Sequence, residues 1–400
     1  MKIHGRLKRI DSAMVSSGCK KMGRLELIYT CLSNLVKALV ESGESGALPE
    51  HLLRYAEDSN KNSVCYRMTQ DEVMPRLEAV TADALLVHEL AGELQGGFDE
   101  YHMLGRMLGD QTEGGKLKPN KKVGPDSLQN PSDEDATFRR KGGKGYQGYV
   151  VNLVEDCGEL GNIITQYDYA VNLRSDIDFG AEVIEKLGPQ EERIVAVTDG
   201  AYASDENFQA AAENNMVLVA TNLTGQKPPE IINDFQIENG TIQSCPAGHA
   251  PVDCEYREDK ELYRAHFDKT TCENCRHREA CPVILQKKTA LIKLTQSAIN
   301  RAAYAEKLTT EEYKSYARKR NGVEGVPSVL RRRYGIDRMP VRGLVRSKMW
   351  MGFKIGAINI KRVITAALGA SFANVFEHFI KRKFIAAAFA GRRRFCAITA

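Results

Sequence analysis

The stretch RIVAVTDGAYASDENFQAAAENNMVLVA, residues 193–220, decides how the rest of the chain is read. Its first apolar run, Ile194 to Val197, has the short continuous hydrophobicity of a strand covered on both faces. Asp199 follows at the carboxyl end of that strand, and Gly200 supplies the turn. Ser204 is placed to cap a helix whose first turn carries Asp205 and Glu206, where carboxylates meet the positive end of the helix dipole. Met216 to Ala220 reads as a second strand. In open α/β sheets, ligands and catalytic groups collect at the carboxyl ends of strands, which makes Asp199 a candidate functional acid. Taken alone, an Asp in this place is equally a turn or cap residue.

Working toward the N-terminus, YQGYVVNLVED (146–156) and GNIITQYDYAV (161–171) are rich in β-branched and aromatic residues and predict two strands joined by a tight connection. SDIDFGAEVIEKLG (175–188) predicts a helix with Ser175 at its N-cap and Asp178 three residues on. The order is strand, strand, helix, strand, helix, strand, an α/β pattern. Residues 112–145 are rich in Gly, Pro, Lys and Ser and read as an exposed loop or linker with solvated charges. Gly143, Gly145 and Gly148 match G-x-G-x-x-G, but they precede a strand instead of opening a helix, so the dinucleotide reading fails. Residues 20–111 carry amphipathic helical spacing, as in Leu25, Ile28, Leu32, Leu35 and Leu39, and read as a helical insertion. His51, His88 and His102 occur singly there and read as structural or surface residues. Before it, HGRLKRIDSAMVS (4–16) has no clean periodicity, and Asp11 alone is only a polar strand-end or cap residue.

The 400 residues exceed one small core, and the composition is that of an ordinary globular protein. The opening residues lack the apolar core of a signal peptide, and no run of about 18 uncharged apolar residues exists, so a cytoplasmic chain without a membrane span is expected. The net charge of +4 hides an asymmetry. From Lys314 to Ala400 there are 20 Lys/Arg and only three acids, Glu324, Asp337 and Glu377, giving +17 and leaving −13 for the remainder. These basic residues alternate with apolar ones over a folded-looking stretch, which predicts a surface for a polyanion, nucleic acid first.

Five of the ten cysteines fall within residues 245–281. Cys272 and Cys275 form a C-x-x-C, Cys281 follows six residues later, and Cys245 opens a Cys-Pro-x-Gly turn upstream. Four thiolates in this layout suit a closed structural zinc site of zinc-ribbon type, with His249, Cys254 and His277 as spare candidates. Unliganded thiols and a thioredoxin-like redox pair are the alternatives, the latter disfavoured by the missing βαβ context. Farther on, TTEEYKSYARKRNGVE (309–324) predicts a helix with a Thr309/Glu312 capping box, ended or kinked by Pro327. Tyr316, Arg320 and Glu324 lie four apart on one face, where Arg320 and Glu324 also read as a plain surface pair.

RIDSAMVSS (9–17), DEDATFRRKGGKGYQGYVVNL (133–153), VTDGAYASDEN (197–207), CPAGH with C-x-x-C, and RNGVEGVPSVLRRRYGIDRMPVRG (320–343) together resemble a DDE transposase of bacterial insertion sequences, in the branch with a zinc-ribbon-like insert before the last acid. The resemblance spans most of residues 7–365. It implies an RNase-H-like mixed five-stranded sheet flanked by helices, with first and fourth strands side by side and an Asp on each. The third acid comes from a later helix. By position, Asp11, Asp199 and Glu324 are the implied catalytic acids and ligands of two Mg²⁺ or Mn²⁺ ions. Tyr316, Arg320 and Arg331 resemble accessory DNA- and phosphate-binding positions, although the Tyr-to-Arg spacing is one residue long and Arg331 stands where a Lys is usual. Asp156, at the end of the second strand with Glu155 behind it, is the alternative first acid. Hard divalent cations favour such carboxylate sets, and a cation pair supports in-line displacement at phosphorus.

The implied layout is a first core strand in 1–19, a helical insertion in 20–111, a linker in 112–145, RNase-H-like core in 146–235, a Cys-rich insert in 236–290, core helices with Glu324 and the basic region in 291–365, and a basic tail in 366–400. The resemblance implies double-stranded DNA, as element ends and target, for a partner, a homodimer on DNA, and a bacterial, nucleoid-associated location. The expected function is metal-dependent strand cleavage and strand transfer. Family members carry a helical region before the first Asp, whereas Asp11 lies near the start here, so a truncated non-catalytic DNA-binding remnant is the alternative. A stand-alone RNase-H-like nuclease is a third reading.

Overall fold

The computed structural model describes residues 5–94, 97–158 and 161–368, with the side chains of 324, 367 and 368 outside that description. A mixed sheet organises the chain. Its strands are β1 (Leu7–Ser16), β2 (Thr137–Lys141), β3 (Lys144–Gly158), β4 (Gly161–Val171), β5 (Ile194–Thr198) and β6 (Met216–Ala220). β1 is central, antiparallel to β3 and parallel to β5, and β5 continues in parallel to β6. β2 and β4 pair with successive parts of the same edge of β3. Five strands therefore run β4-β3-β1-β5-β6, with β2 added beside β4. This matches the expected RNase-H-like arrangement, with the first and fourth of those five strands side by side.

β1 shows no simple alternation because both of its faces are covered. Ile10 and Met14 pack with Val150 and Val154 of β3 against Phe179, Val183 and Ile184 of helix α4 (Asp176–Leu187). Ala13 and Val15 face the other way, toward Val323, Val326 and Leu330 of helix α7 (Glu311–Tyr334) and Met351, Ile355 and Ile358 of helix α8 (Leu344–Leu368). Ser175 and Asp178 form the expected capping box on α4, and Ser204 caps helix α5 (Asp205–Glu213).

Between β1 and β2, helices α1 (Arg24–Glu41), α2 (Val73–Gly92) and α3 (Asp99–Gln111) bury their apolar stripes against one another in a separate core. His88 lies in it, stacked on Tyr101 with ring centroids 4.3 Å apart. After β6, strands β7 (Asp253–Arg257), β8 (Leu262–Asp268), β9 (Ile284–Leu285) and β10 (Thr289–Thr295) form a second, antiparallel sheet in the order β7-β8-β10-β9. Helix α6 (Gln296–Lys307) then leads back toward the central sheet, where Tyr304 donates to the carbonyl of Ala220 at 2.9 Å.

Three expectations need correction. The 112–145 segment is not a loop throughout: Thr137–Lys141 pairs with Lys144–Gly148 around Gly142 and Gly143, both at positive φ, where a side chain would be strained. Its charges are not all solvated either. Asp133 is buried and accepts hydrogen bonds from Ser17 (2.5 Å), Tyr149 and the backbone N–H of Gly343 (3.0 Å), tying β1, β3 and the start of α8 together. Helix α7 starts at Glu311, with Thr310 as its N-cap in place of Thr309, and runs through Pro327 to Tyr334. Pro327 removes one backbone donor, but burial of Val323, Val326 and Leu330 favours continuation, each such side chain contributing about 1.5–3 kcal/mol.

Asp133→Ala leaves three donors without their acceptor. It is expected to destabilise the fold by about 2–4 kcal/mol, measured as a lowered denaturation midpoint in urea.

Candidate active site

β1 and β5 run in parallel, with Arg9 level with Val197 in the last pair of their ladder. Two residues farther along each chain come Asp11 and Asp199. Asp11 is on the face of β1 that looks toward α7, the face it shares with Ala13 and Val15. Asp199 caps the turn after β5, its Oδ1 accepting from the backbone N–H of Ala201 at 2.9 Å. Arg320 of α7 reaches between them, with Nη2 3.5 Å from Asp11 Oδ1 and 3.9 Å from Asp199 Oδ2. These contacts are long, so Arg320 balances the pair without a tight bidentate clamp.

Burial pushes the Asp11 carboxyl up to about 6, with the Asp199 charge adding to the rise and Arg320 opposing it. Two carboxylates in one partly dry place resist joint ionisation, and a cation between them relieves both. That is the demand a divalent metal site makes on its ligands, and the oxygen donors suit Mg²⁺ or Mn²⁺. The pair therefore fits the implied ions. Among the described residues, no group of three or more His, Cys, Asp or Glu is arranged to hold a metal ion. Glu324 lies in α7, one turn beyond Arg320, and its side chain is outside the described residues.

The other candidates sort by face. Asp156 is fully buried and paired with Lys8 at 2.5 Å. It shares the opposite face of the sheet with Val150 and Val154, under α4, away from α7. Tyr316 is one turn before Arg320, and its hydroxyl donates to Glu312 at 3.3 Å. Arg331 lies about 16 Å along the helix axis from Arg320. Its guanidinium donates to the carbonyl of Met14 at 2.7 Å and to Asp337 at 3.2 Å, so it docks α7 on the end of β1 and is not brought to the aspartates. Two charged residues that the sequence reading did not assign flank the pair: Arg9 and Glu155, buried and joined at 2.5 Å on the Asp11 face. Their sequence traces were an Arg two residues before Asp11 and the Glu155 that precedes Asp156, with nothing local to join them.

Beside the second sheet, Cys245, Cys272, Cys275 and Cys281, with His249 and His277, border one cavity of about 20 Å³. Cys245 and Cys275 sit in tight turns, with Gly248 N–H donating to the Cys245 carbonyl at 2.7 Å and Arg278 N–H to the Cys275 carbonyl at 2.9 Å. Burial raises the Cys272 thiol to about 11, and Cys245, Cys281 and Cys275 add to the rise. Thiols whose joint ionisation a cation would relieve, around a space for one small occupant, fit a soft cation, although the sulfurs do not form a ready-made coordination group among the described residues.

Residues 244–364 match the family described as transposase DDE domain. The match supports a DDE insertion-sequence transposase. It covers the cysteine-bearing sheet, α6, α7 and most of α8, and leaves the strands of Asp11 and Asp199 outside it. Comparison with curated proteins and with solved structures returns no match. Among the described residues, no helix is long and apolar enough to cross a membrane.

The raised Asp11 pKa has a sign. The folded chain holds this proton up to about pH 6, whereas the unfolded chain releases it near 3.8. Stability from the neutral form is therefore complete below 3.8 and is lost as pH rises to about 6. In metal-free buffer, Asp11→Asn is expected to gain thermal stability relative to wild type as pH rises from about 4 to 7, by up to about 3 kcal/mol. A difference between the two melting profiles that stays flat across this range contradicts the assignment.

Proposed function

We propose that the chain catalyses metal-dependent DNA strand cleavage and strand transfer for an insertion sequence, with Asp11, Asp199 and Glu324 as the acids. The observation that carries this reading is the pairing of Asp11 with Asp199 on adjacent parallel strands beneath the helix that bears Glu324. The family match supplies transposase function in general terms, and the geometry supports these particular residues. Asp156 is the weaker first acid because it faces α4 and is already neutralised by Lys8.

Bound Mg²⁺ or Mn²⁺ ions would supply Lewis acidity for an in-line displacement at phosphorus. The chain's own part is to hold the carboxylates of Asp11 and Asp199 on the rigid frame of two adjacent strands, so that little reorganisation accompanies the chemistry. Arg320 lies 13% exposed beside both acids and can turn its guanidinium toward a DNA phosphate once they have another cation. The basic residues of α7 and α8, among them Arg332, Arg333, Arg346 and Lys354, provide a surface for the DNA backbone, paired element ends and target included. A homodimer on DNA and residence with the bacterial nucleoid accord with this reading. The cysteine-bearing sheet would be stapled by Zn²⁺ on Cys245, Cys272, Cys275 and Cys281.

On DNA carrying the element's ends, Asp199→Ala and Glu324→Ala are each expected to lower Mn²⁺-dependent nicking by about 100-fold or more, with DNA retention nearly unchanged. If both variants nick as well as wild type, the site is elsewhere. A separate test concerns zinc. Removing the cysteine-bound metal, verified by elemental analysis, is expected to lower the melting temperature of the protein; an unchanged melt after verified removal rules out the staple.

A further inference from the structure

A line of charge, buried at Glu155 and Arg9, runs along one face of the sheet to the helix that completes the proposed site. Arg362 of α8 contacts Glu155 of β3, Nη1 to Oε1, at 2.7 Å. The other oxygen of Glu155 holds Arg9 of β1 at 2.5 Å. Arg9 Nη1 then donates to the backbone carbonyl of Lys319 in α7 at 3.0 Å. Glu155 is fully buried and Arg9 is 6% exposed, so neither charge is solvated and each depends on the other. The tip of the guanidinium comes close to the bare helix backbone at Gly322, where an added Cβ would stand 1.8 Å from Arg9 Nη1.

The placement is specific. Arg9 is two residues before Asp11 on the same face of β1, and Lys319 directly precedes Arg320. Gly322 lies midway between Arg320 and Glu324. We propose that Arg9 is a positioning residue for the reaction: fixed by Glu155, and admitted by the missing side chain of Gly322, it sets the height at which α7 presents Arg320 and Glu324 to Asp11 and Asp199. This rests on the assignment of those acids made above. Glu155 supplies the anchoring charge, and Arg362 keeps its second oxygen engaged so that Arg9 is held at one point. Any side chain at position 322 lifts the helix or displaces the guanidinium, and either change moves the third acid relative to the other two.

The test compares wild type with Gly322→Ala, Arg9→Lys and the double variant, using the full chain. Gly322→Ala is expected to lower Mn²⁺-dependent nicking by about tenfold or more and to raise the Mn²⁺ concentration for half-maximal rate, because a misplacement near 1 Å has effects of this size. DNA retention should stay within about twofold, since the phosphate-contacting surface is untouched. Hydrogen exchange should quicken in Glu311–Tyr334 while the β3–β4 pair keeps its protection. Lysine is thinner than arginine at its tip and still reaches Glu155, so Arg9→Lys is expected to bring Gly322→Ala back to the level of Arg9→Lys alone. Wild-type metal dependence and exchange in Gly322→Ala, or simple addition of the two losses in the double variant, overturns the proposal. If wild type itself fails to nick, the functional reading fails separately, and exchange in α7 decides whether Arg9 seats the helix.

Discussion

The repulsion between two carboxylates on adjacent parallel strands, Asp11 within β1 and Asp199 just past β5, is the constraint on which the structure turns. Parallel pairing of β1 with β5 places Asp11 and Asp199 together, and burial raises the energetic cost of charging Asp11. Something cationic must stand near them. Arg320 does so, at 3.5 and 3.9 Å. The loose arrangement suits a guanidinium that gives way to another cation.

Delivering Arg320 to that place requires a long helix laid across the sheet at a fixed height. Apolar burial through Val323, Val326 and Leu330 presses α7 down, but it is non-directional and tolerates sliding. Polar contacts set the position along and above the strands: Arg331 on the carbonyl of Met14, and Arg9 on the carbonyl of Lys319. Both guanidinium groups bind helix and strand at opposite ends of β1. The division of labour is ordinary: burial supplies the stability, and charge-assisted hydrogen bonds supply the register.

Much of this was legible in the chain, for physical reasons that differ by element. Asp199 could be read because its strand, turn and capped helix are contiguous, and Ser204 caps as expected. Asp11 could be placed only through family resemblance. Its strand is covered on both faces and carries Lys8 and Arg9, which are buried only because Asp156 and Glu155 neutralise them from a strand far away in sequence. No local pattern announces such a pairing. The β2–β3 hairpin was readable from Gly142-Gly143 between two strand-like runs, but the surrounding charge pointed to a loop. Pro327 pointed to a helix end, and the buried residues around it outweighed the lost hydrogen bond.

The choice between Asp11 and Asp156 bears most directly on the proposed site, since one faces α7 and the other faces α4. The decisive measurement is Mn²⁺-dependent nicking of element-end DNA by Asp11→Asn and Asp156→Asn, each checked for an intact fold by its circular dichroism and melt. Loss of nicking in Asp11→Asn, with activity retained in whatever fraction of Asp156→Asn remains folded, is the expected result. Full activity in Asp11→Asn, with loss confined to a well-folded Asp156→Asn, would contradict the site described here.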